Sequence, residues 1–155
     1  MKTQFLAGLV LGLAAAFPAF AAERPNVIVI LCDDLGYGDV KANHPAGRIT
    51  TPHMDRIARE GVRFTDAYAN GSFCTPTRAA LLSCRYQHRY GIEDLGGPLP
   101  AQANTLPQRL KAAGYVTGMV GKWHLGGKQD HLAHSKGFQK SFILHQGGGN
   151  HYNNL

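Results

Sequence analysis

Six consecutive residues, Asn26-Val27-Ile28-Val29-Ile30-Leu31, constrain the fold more than any other stretch of the chain. β-Branched side chains lose rotamer freedom in a helix and pack well on a pleated surface. A strand with one wet face alternates apolar and polar residues; this run does not, so both its faces call for cover. That is the pattern of a strand buried in a parallel sheet. The residues that follow supply the helices. Thr51-Pro52 marks a helix start, Thr as N-cap and Pro in the first turn, with Met54, Ile57 and Ala58 on one face and Gly61 as the stop. Val62 to Ala69 reads as a second strand and Pro76 to Ser83 as a short helix. Asn104 or Thr105 can cap a third helix, with Leu106, Leu110 and Ala113 at helical spacing and Gly114 at its end. Tyr115 to Val120 reads as a third strand. Strand, helix, strand, helix, strand predicts an α/β fold, a mostly parallel sheet flanked by helices. Beyond Gly126 the chain is rich in Gly, His and Asn, and no regular element is predicted there.

The first 21 residues stand apart. Lys2 gives a positive start, Phe5 to Phe17 is almost wholly apolar, and Ala19-Phe20-Ala21 offers a small-residue cleavage site. The apolar run is short for a membrane span of about 20 residues. Residues 1–21 therefore read as a cleaved signal peptide, residues 22–155 as the folded part, and the expected location is secreted or periplasmic with no stable membrane insertion. The formal net charge is +6, one less once Lys2 is removed, and it is spread along the chain. That distribution argues against nucleic-acid binding and for attraction to small anions. Of the three cysteines, Cys32 ends the first apolar run and reads as a small buried residue. Cys74 and Cys84, if joined by helix, lie roughly 15 Å apart. A disulfide tolerates about 7 Å between Cα atoms, which leaves Cys74 unpaired.

Three segments carry chemistry. Asp33-Asp34 falls just past the carboxyl end of the first predicted strand, where open α/β sheets place their sites. Two readings fit the pair: a solvated polar turn, or oxygen ligands for a hard cation, Ca²⁺ or Mg²⁺. Cys74-Thr75-Pro76-Thr77-Arg78 has the form C-x-P-x-R. In a helix starting near Thr75, Arg78 shares a face with residue 74 and leans back toward it. The helix N-terminus and Arg78 then form a corner that suits an anion, unless Cys74 is simply a buried cysteine before a surface helix. Lys122 and His124 flank Trp123. In extended chain, residues i and i+2 point the same way, bringing a cation and an acid or base to one spot; the alternative is a surface pair. His131-x-x-His134 has no Cys or acidic residue at ligand spacing, which argues against zinc.

Together these segments resemble the formylglycine-dependent sulfatases of the alkaline-phosphatase-like superfamily. The matching stretches are Pro25 to Asp39, Cys74 to Leu82 and Gly121-Lys122-Trp123-His124-Leu125-Gly126, with a weaker likeness in Gly147 to Tyr152. The resemblance implies that Asp33, Asp34 and residue 74 ligate Ca²⁺ (or Mg²⁺). It implies that a formylglycine-generating enzyme converts Cys74 to the aldehyde, whose hydrate attacks the sulfur of an aryl or carbohydrate sulfate ester. Arg78 would hold the hydrate, Lys122 would bind it and the sulfate, and His124 would take a proton to expel sulfate. The family's remaining ligands, an Asp and an Asn, and a further lysine and histidine lie downstream of positions matching Leu155. The chain therefore reads as the N-terminal portion of a sulfatase domain, expected to be inactive alone. Cys84 stands where the family usually has glycine. Relatives use the same aldehyde on phosphonates and phosphodiesters, which is the second reading. An inactive exported fragment with weak cation binding is the third.

Overall fold

The computed structural model describes residues 24–149. The predicted signal peptide and the stretch Asn150-His151-Tyr152 lie outside the described residues. The chain divides into two units between Cys32 and Asp33. In the described part of the first, residues 24–32 have no regular structure, and the apolar run is exposed, Ile28 at 83%. The strand expected at Asn26 to Leu31 is not formed. A strand exists as half of a ladder that satisfies its N–H and C=O groups, and neither described strand includes this run. Val62 to Ala69, in the second unit, is likewise not a strand, and Val62, Phe64 and Tyr68 are exposed.

The second unit begins with a 3₁₀ turn, Tyr37–Asp39, and helix α1, Pro52–Glu60. Thr51 is the N-cap and Pro52 opens the helix, as the sequence predicts. The Thr51 hydroxyl does not cap in the usual way. It accepts from the Lys41 N–H at 2.9 Å and donates to Asp55 Oδ1 at 3.0 Å, while Asp55 accepts from the Ala42 N–H at 2.8 Å. The first turn of α1 thus fastens the preceding loop. Gly61 ends the helix but is not left-handed (φ −117°), so its conformational freedom is not what stops it.

Helix α2, Cys74–Ser83, starts two residues earlier than Pro76 suggested. Phe73 is its N-cap, and Pro76 sits in the first turn, where a missing N–H has no intrahelical partner to lose. The helix ends at Cys84, which is left-handed (φ 53°, ψ 34°). A residue with a Cβ is disfavoured there by roughly 1–2 kcal/mol. Cys84→Gly is accordingly expected to stabilise the chain by about 1 kcal/mol. A urea titration should show a higher midpoint at unchanged slope, and an unchanged midpoint would show that the Cys84 backbone costs nothing.

Helix α3, Leu106–Ala112, is capped by Thr105 rather than Asn104, through a box in which Thr105 N–H donates to Gln108 Oε1 at 2.9 Å. Gly137 (φ 101°) lies against this helix start; a Cβ there would meet the Gln108 N at 2.5 Å. Strand β1, Gly118–Lys122, falls slightly later than predicted, and β2, Lys140–Leu144, was not predicted at all. The two pair in parallel, Gly118 opposite Lys140 through Lys122 opposite Leu144. Two 3₁₀ turns, Gln129–His131 and His134–Lys136, lie in the crossover between them.

The core gathers Ala79 of α2, Ile92, Leu99, Ala103, Trp123, Leu125 and Ala133, with Leu82, Tyr90, Met119, Phe138 and Ile143 packed around it. Trp123 is fully buried, edge-on to Phe138 with centroids 6.3 Å apart, and its indole N–H donates to the His131 carbonyl at 3.1 Å. Lys136 is also fully buried; its ammonium donates to the carbonyls of Pro100 and Ala101, and burial lowers its pKa. All three cysteines are free.

Candidate active site

Cys74 is the first residue of α2, and the loop before it is fixed from two sides. The Thr77 hydroxyl donates to the Gly71 carbonyl at 2.9 Å, and the Gln87 amide donates to the Asn70 carbonyl at 2.8 Å. One turn into the helix, Arg78 is 8% exposed. Its two terminal nitrogens donate to Asp33 Oδ1 at 2.9 Å and to the Lys122 carbonyl at 2.7 Å. Lys122, the last residue of β1, donates from Nζ to Asp33 Oδ2 at 2.7 Å and to the Cys74 sulfur at 3.1 Å. Three of the residues singled out in the sequence therefore close a ring, Lys122 to Asp33 to Arg78 and back to the Lys122 backbone, and the Lys122 ammonium ties Cys74 to it. Arg78 Nε is buried with no hydrogen-bond partner. An orphaned guanidinium N–H in a cationic corner is a donor awaiting an acceptor.

Asp33 does more than the sequence suggested. Its carboxylate spans both cations, and the Lys122 hydrogen bond above all holds its pKa below the ordinary value, with Arg78 adding to this and burial opposing it. Burial pulls the Lys122 pKa down, but the bonds to Asp33 and Cys74 outweigh it and the net shift is upward. Lys122 is thus cationic at neutral pH.

Carboxylate oxygens of Asp33 and Asp34 and the Cys74 sulfur lie within 4.8 Å of one another. Two carboxylates suit a hard cation, while the sulfur beside them is a softer ligand. The donor chemistry fits a divalent ion as part of a shell of about six to eight oxygens. Asp34 is left-handed (φ 57°), a conformation that Asp tolerates better than most residues.

His124 reaches the site by a different route from the one expected. The side-by-side placement of residues i and i+2 needs extended chain, yet β1 stops at Lys122 and His124 is left-handed (φ 54°). Its position is set by β2 instead. Trp123 N–H donates to the Leu144 carbonyl at 2.8 Å and His124 N–H to the His145 carbonyl at 3.1 Å, which carries the ladder two residues further. Gly147 lies so close to the imidazole that a Cβ there would overlap the ring. The glycine run after His145 was the visible signal for this contact. His124 Nδ1 is buried without a partner.

Burial, then the charges of Lys122 and Arg78, lower the His124 pKa, with Asp33 opposing them. Above the ordinary value of 6.5, folded and unfolded chains both hold a neutral imidazole and His124 adds no pH dependence. Below it the unfolded chain takes up a proton that the folded chain resists, so stability falls as pH falls through and below 6.5. Denaturant midpoints at pH 7 and pH 5 should show this loss in the wild type and a smaller one in His124→Gln. Equal losses would show that another group carries the dependence.

A family model described as Sulfatase matches residues 25–154. Arylsulfatase G of Rattus norvegicus is 42% identical over 127 residues, covering 78% of this chain and 24% of that protein. Arylsulfatase A of Homo sapiens is 46% identical over 125 residues, covering 76% and 24% respectively. The crystal structure of Ps i-CgsB matches with a TM-score of 0.78 at 37% identity, covering 83% of this chain and 30% of that one. The chain spans about a quarter of the length of the curated relatives it matches.

Proposed function

The chain belongs to the sulfatase family, and from that premise we propose that it forms the nucleophile-bearing part of an enzyme that hydrolyses sulfate esters, with Cys74 as the precursor of a formylglycine. The observation that carries this is the single lysine, Lys122, whose ammonium joins the Cys74 sulfur to Asp33 while its carbonyl holds Arg78. A nucleophile, two cations and an unpartnered donor converge where an anionic substrate would sit.

Each residue has a task. Arg78 holds the hydrate, Lys122 binds the hydrate and the ester's sulfate, and the two cations offset the charge that grows as sulfur is attacked. Asp33 fixes both cations, so little reorganisation is needed on binding. His124, neutral at neutral pH because its pKa is lowered, accepts a proton near residue 74. Asp33, Asp34 and residue 74 would hold a divalent cation, Ca²⁺ or Mg²⁺, which when bound supplies Lewis acidity and favours the deprotonated nucleophile. As formylglycine hydrate, residue 74 supplies one hydroxyl for attack and a second whose deprotonation releases sulfate and restores the aldehyde. Maturation would require a formylglycine-generating enzyme. We also propose that residues 1–21 direct export and are removed, with residues 22–155 belonging to the catalytic domain. Among the described residues, no helix is long and apolar enough to cross a membrane.

The test is coexpression with a formylglycine-generating enzyme, followed by peptide mass analysis across residue 74. Conversion exchanges a thiol and a hydrogen for an oxygen. Matured enzyme containing this chain should hydrolyse an aryl sulfate faster than the matching phosphonate ester. An unmodified thiol under those conditions, or a preference for the phosphonate, would overturn the reading.

A further inference from the structure

Lys136 is a fully buried lysine that the chemistry above leaves unused. Lysines this deep are ordinarily paired with an acid. Among the described residues no carboxylate pairs with this one; Asp130 favours its charge without making an ion pair. Its Nζ donates instead to two backbone carbonyls, those of Pro100 and of Ala101, the second at 3.1 Å. The Lys136 backbone is fixed as well. Its N–H donates to the Leu132 and Ala133 carbonyls, and its carbonyl accepts from the buried Thr105 hydroxyl at 2.6 Å. A methionine would fill similar space with no charge to desolvate, and such replacements are often neutral or stabilising. What the lysine adds is direction: it fastens residues 100 and 101 to the turn His134–Lys136.

The fastened segment grips the chain just past His124. Leu99, fully buried, donates its N–H to the Leu125 carbonyl at 3.1 Å, and its own carbonyl lies 2.9 Å from His131 Nδ1. Gly126 follows at φ 111°, and a Cβ there would meet the Cβ atoms of Pro98 and His131, both at 2.8 Å. His124 itself is left-handed (φ 54°), a conformation that a residue with a Cβ keeps only where its surroundings over-determine it. The His145 carbonyl holds its N–H, and Leu99 holds the next residue, Leu125. Resting on the sulfate-ester reading, we propose that Lys136 is a positioning residue for His124. By pinning residues 100 and 101 it keeps Leu99 on Leu125, and so keeps the imidazole where it accepts its proton.

The experiment is Lys136→Met, read by NMR of the full chain and by turnover of a matured enzyme containing it. The His124 Cα and Cβ shifts, which report a positive φ, should move toward ordinary values. The Leu99 amide should lose protection from hydrogen exchange, while the amides of helix α1 stay in place. On an aryl sulfate, kcat should fall by about 10²-fold, the cost of a small misplacement, with KM little changed. A second arm uses the wild type and holds even where Lys136→Met fails to fold: the Leu99 and His124 amides should exchange through one shared opening as urea is added. Unchanged His124 shifts in Lys136→Met, or a His124 amide that opens while Leu99 stays protected, overturns this inference alone. Shifted His124 resonances with unchanged turnover overturn it together with the proton-accepting role of His124. A matured wild type with no sulfate ester turnover overturns the proposed function, and this inference with it.

Discussion

Cys74→Ala is expected to end the proposed sulfate ester turnover in a matured enzyme containing this chain, a loss on the order of 10⁶-fold, the scale seen when a nucleophile is deleted. Alanine keeps the helix start, since the Cys74 backbone already has helical geometry and its side chain's hydrogen bond is to Lys122, outside the helix. What disappears is the thiol that maturation needs in order to build the aldehyde, and with it the proposed nucleophile. Arg78→Lys tests the other half of the site. Arg78 makes two divergent hydrogen bonds and holds a third donor, Nε, in reserve. A lysine ammonium is a point charge and cannot reproduce that fork. Turnover should fall by about 10²–10³-fold, the typical cost of removing one preorganised donor. Steady-state rates on an aryl sulfate decide both. A Cys74→Ala enzyme with a rate near wild type would sink the assignment.

The site was easier to read in the sequence than the sheet was. Cys74, Arg78, Lys122 and Asp33 are local signals, each at the edge of an element, and helix α2 alone fixes the spacing of the first two. Their hydrogen-bond network follows once β1 delivers Lys122. The bridging role of Asp33 was missed because adjacent acids suggest a cation, and the sequence does not say that Arg78 and Lys122 will both arrive there. The apolar run Asn26 to Leu31 had the right composition for a buried strand, but composition cannot provide the neighbouring ladder. Strand β2 was missed for the opposite reason. Phe142-Ile143-Leu144 is a short apolar run in a stretch dominated by Gly, His and Asn, and only pairing with β1 makes it a strand. Pairing is a long-range property, and it also explains His124: its backbone is set by His145 and its ring by Gly147, residues more than twenty positions away.

Trp123→Ala should cost about 3–5 kcal/mol, the range for deleting a large buried aromatic. Trp123 is the largest fully buried side chain among the described residues and belongs to the one buried cluster, touching Phe138 edge-on. Truncation leaves a cavity, and it strips the His131 carbonyl of its indole donor. Against a typical stability of about 5–15 kcal/mol, that loss is a large fraction of the total. It also reaches the chemistry, because Trp123 lies between Lys122 and His124 and anchors both. Trp123→Phe separates the two contributions: it refills most of the volume but leaves the His131 carbonyl unpaired, at a cost of about 1–3 kcal/mol. Urea denaturation should therefore rank wild type above Trp123→Phe and Trp123→Ala lowest. In Trp123→Phe, NMR should show the His124 resonances shifted while those of Cys84, at the far end of α2, stay in place. A Trp123→Ala chain within 1 kcal/mol of wild type would mean that the residues around Trp123 are not the core that holds β1 against α2, and that Lys122 is brought to Cys74 by something else.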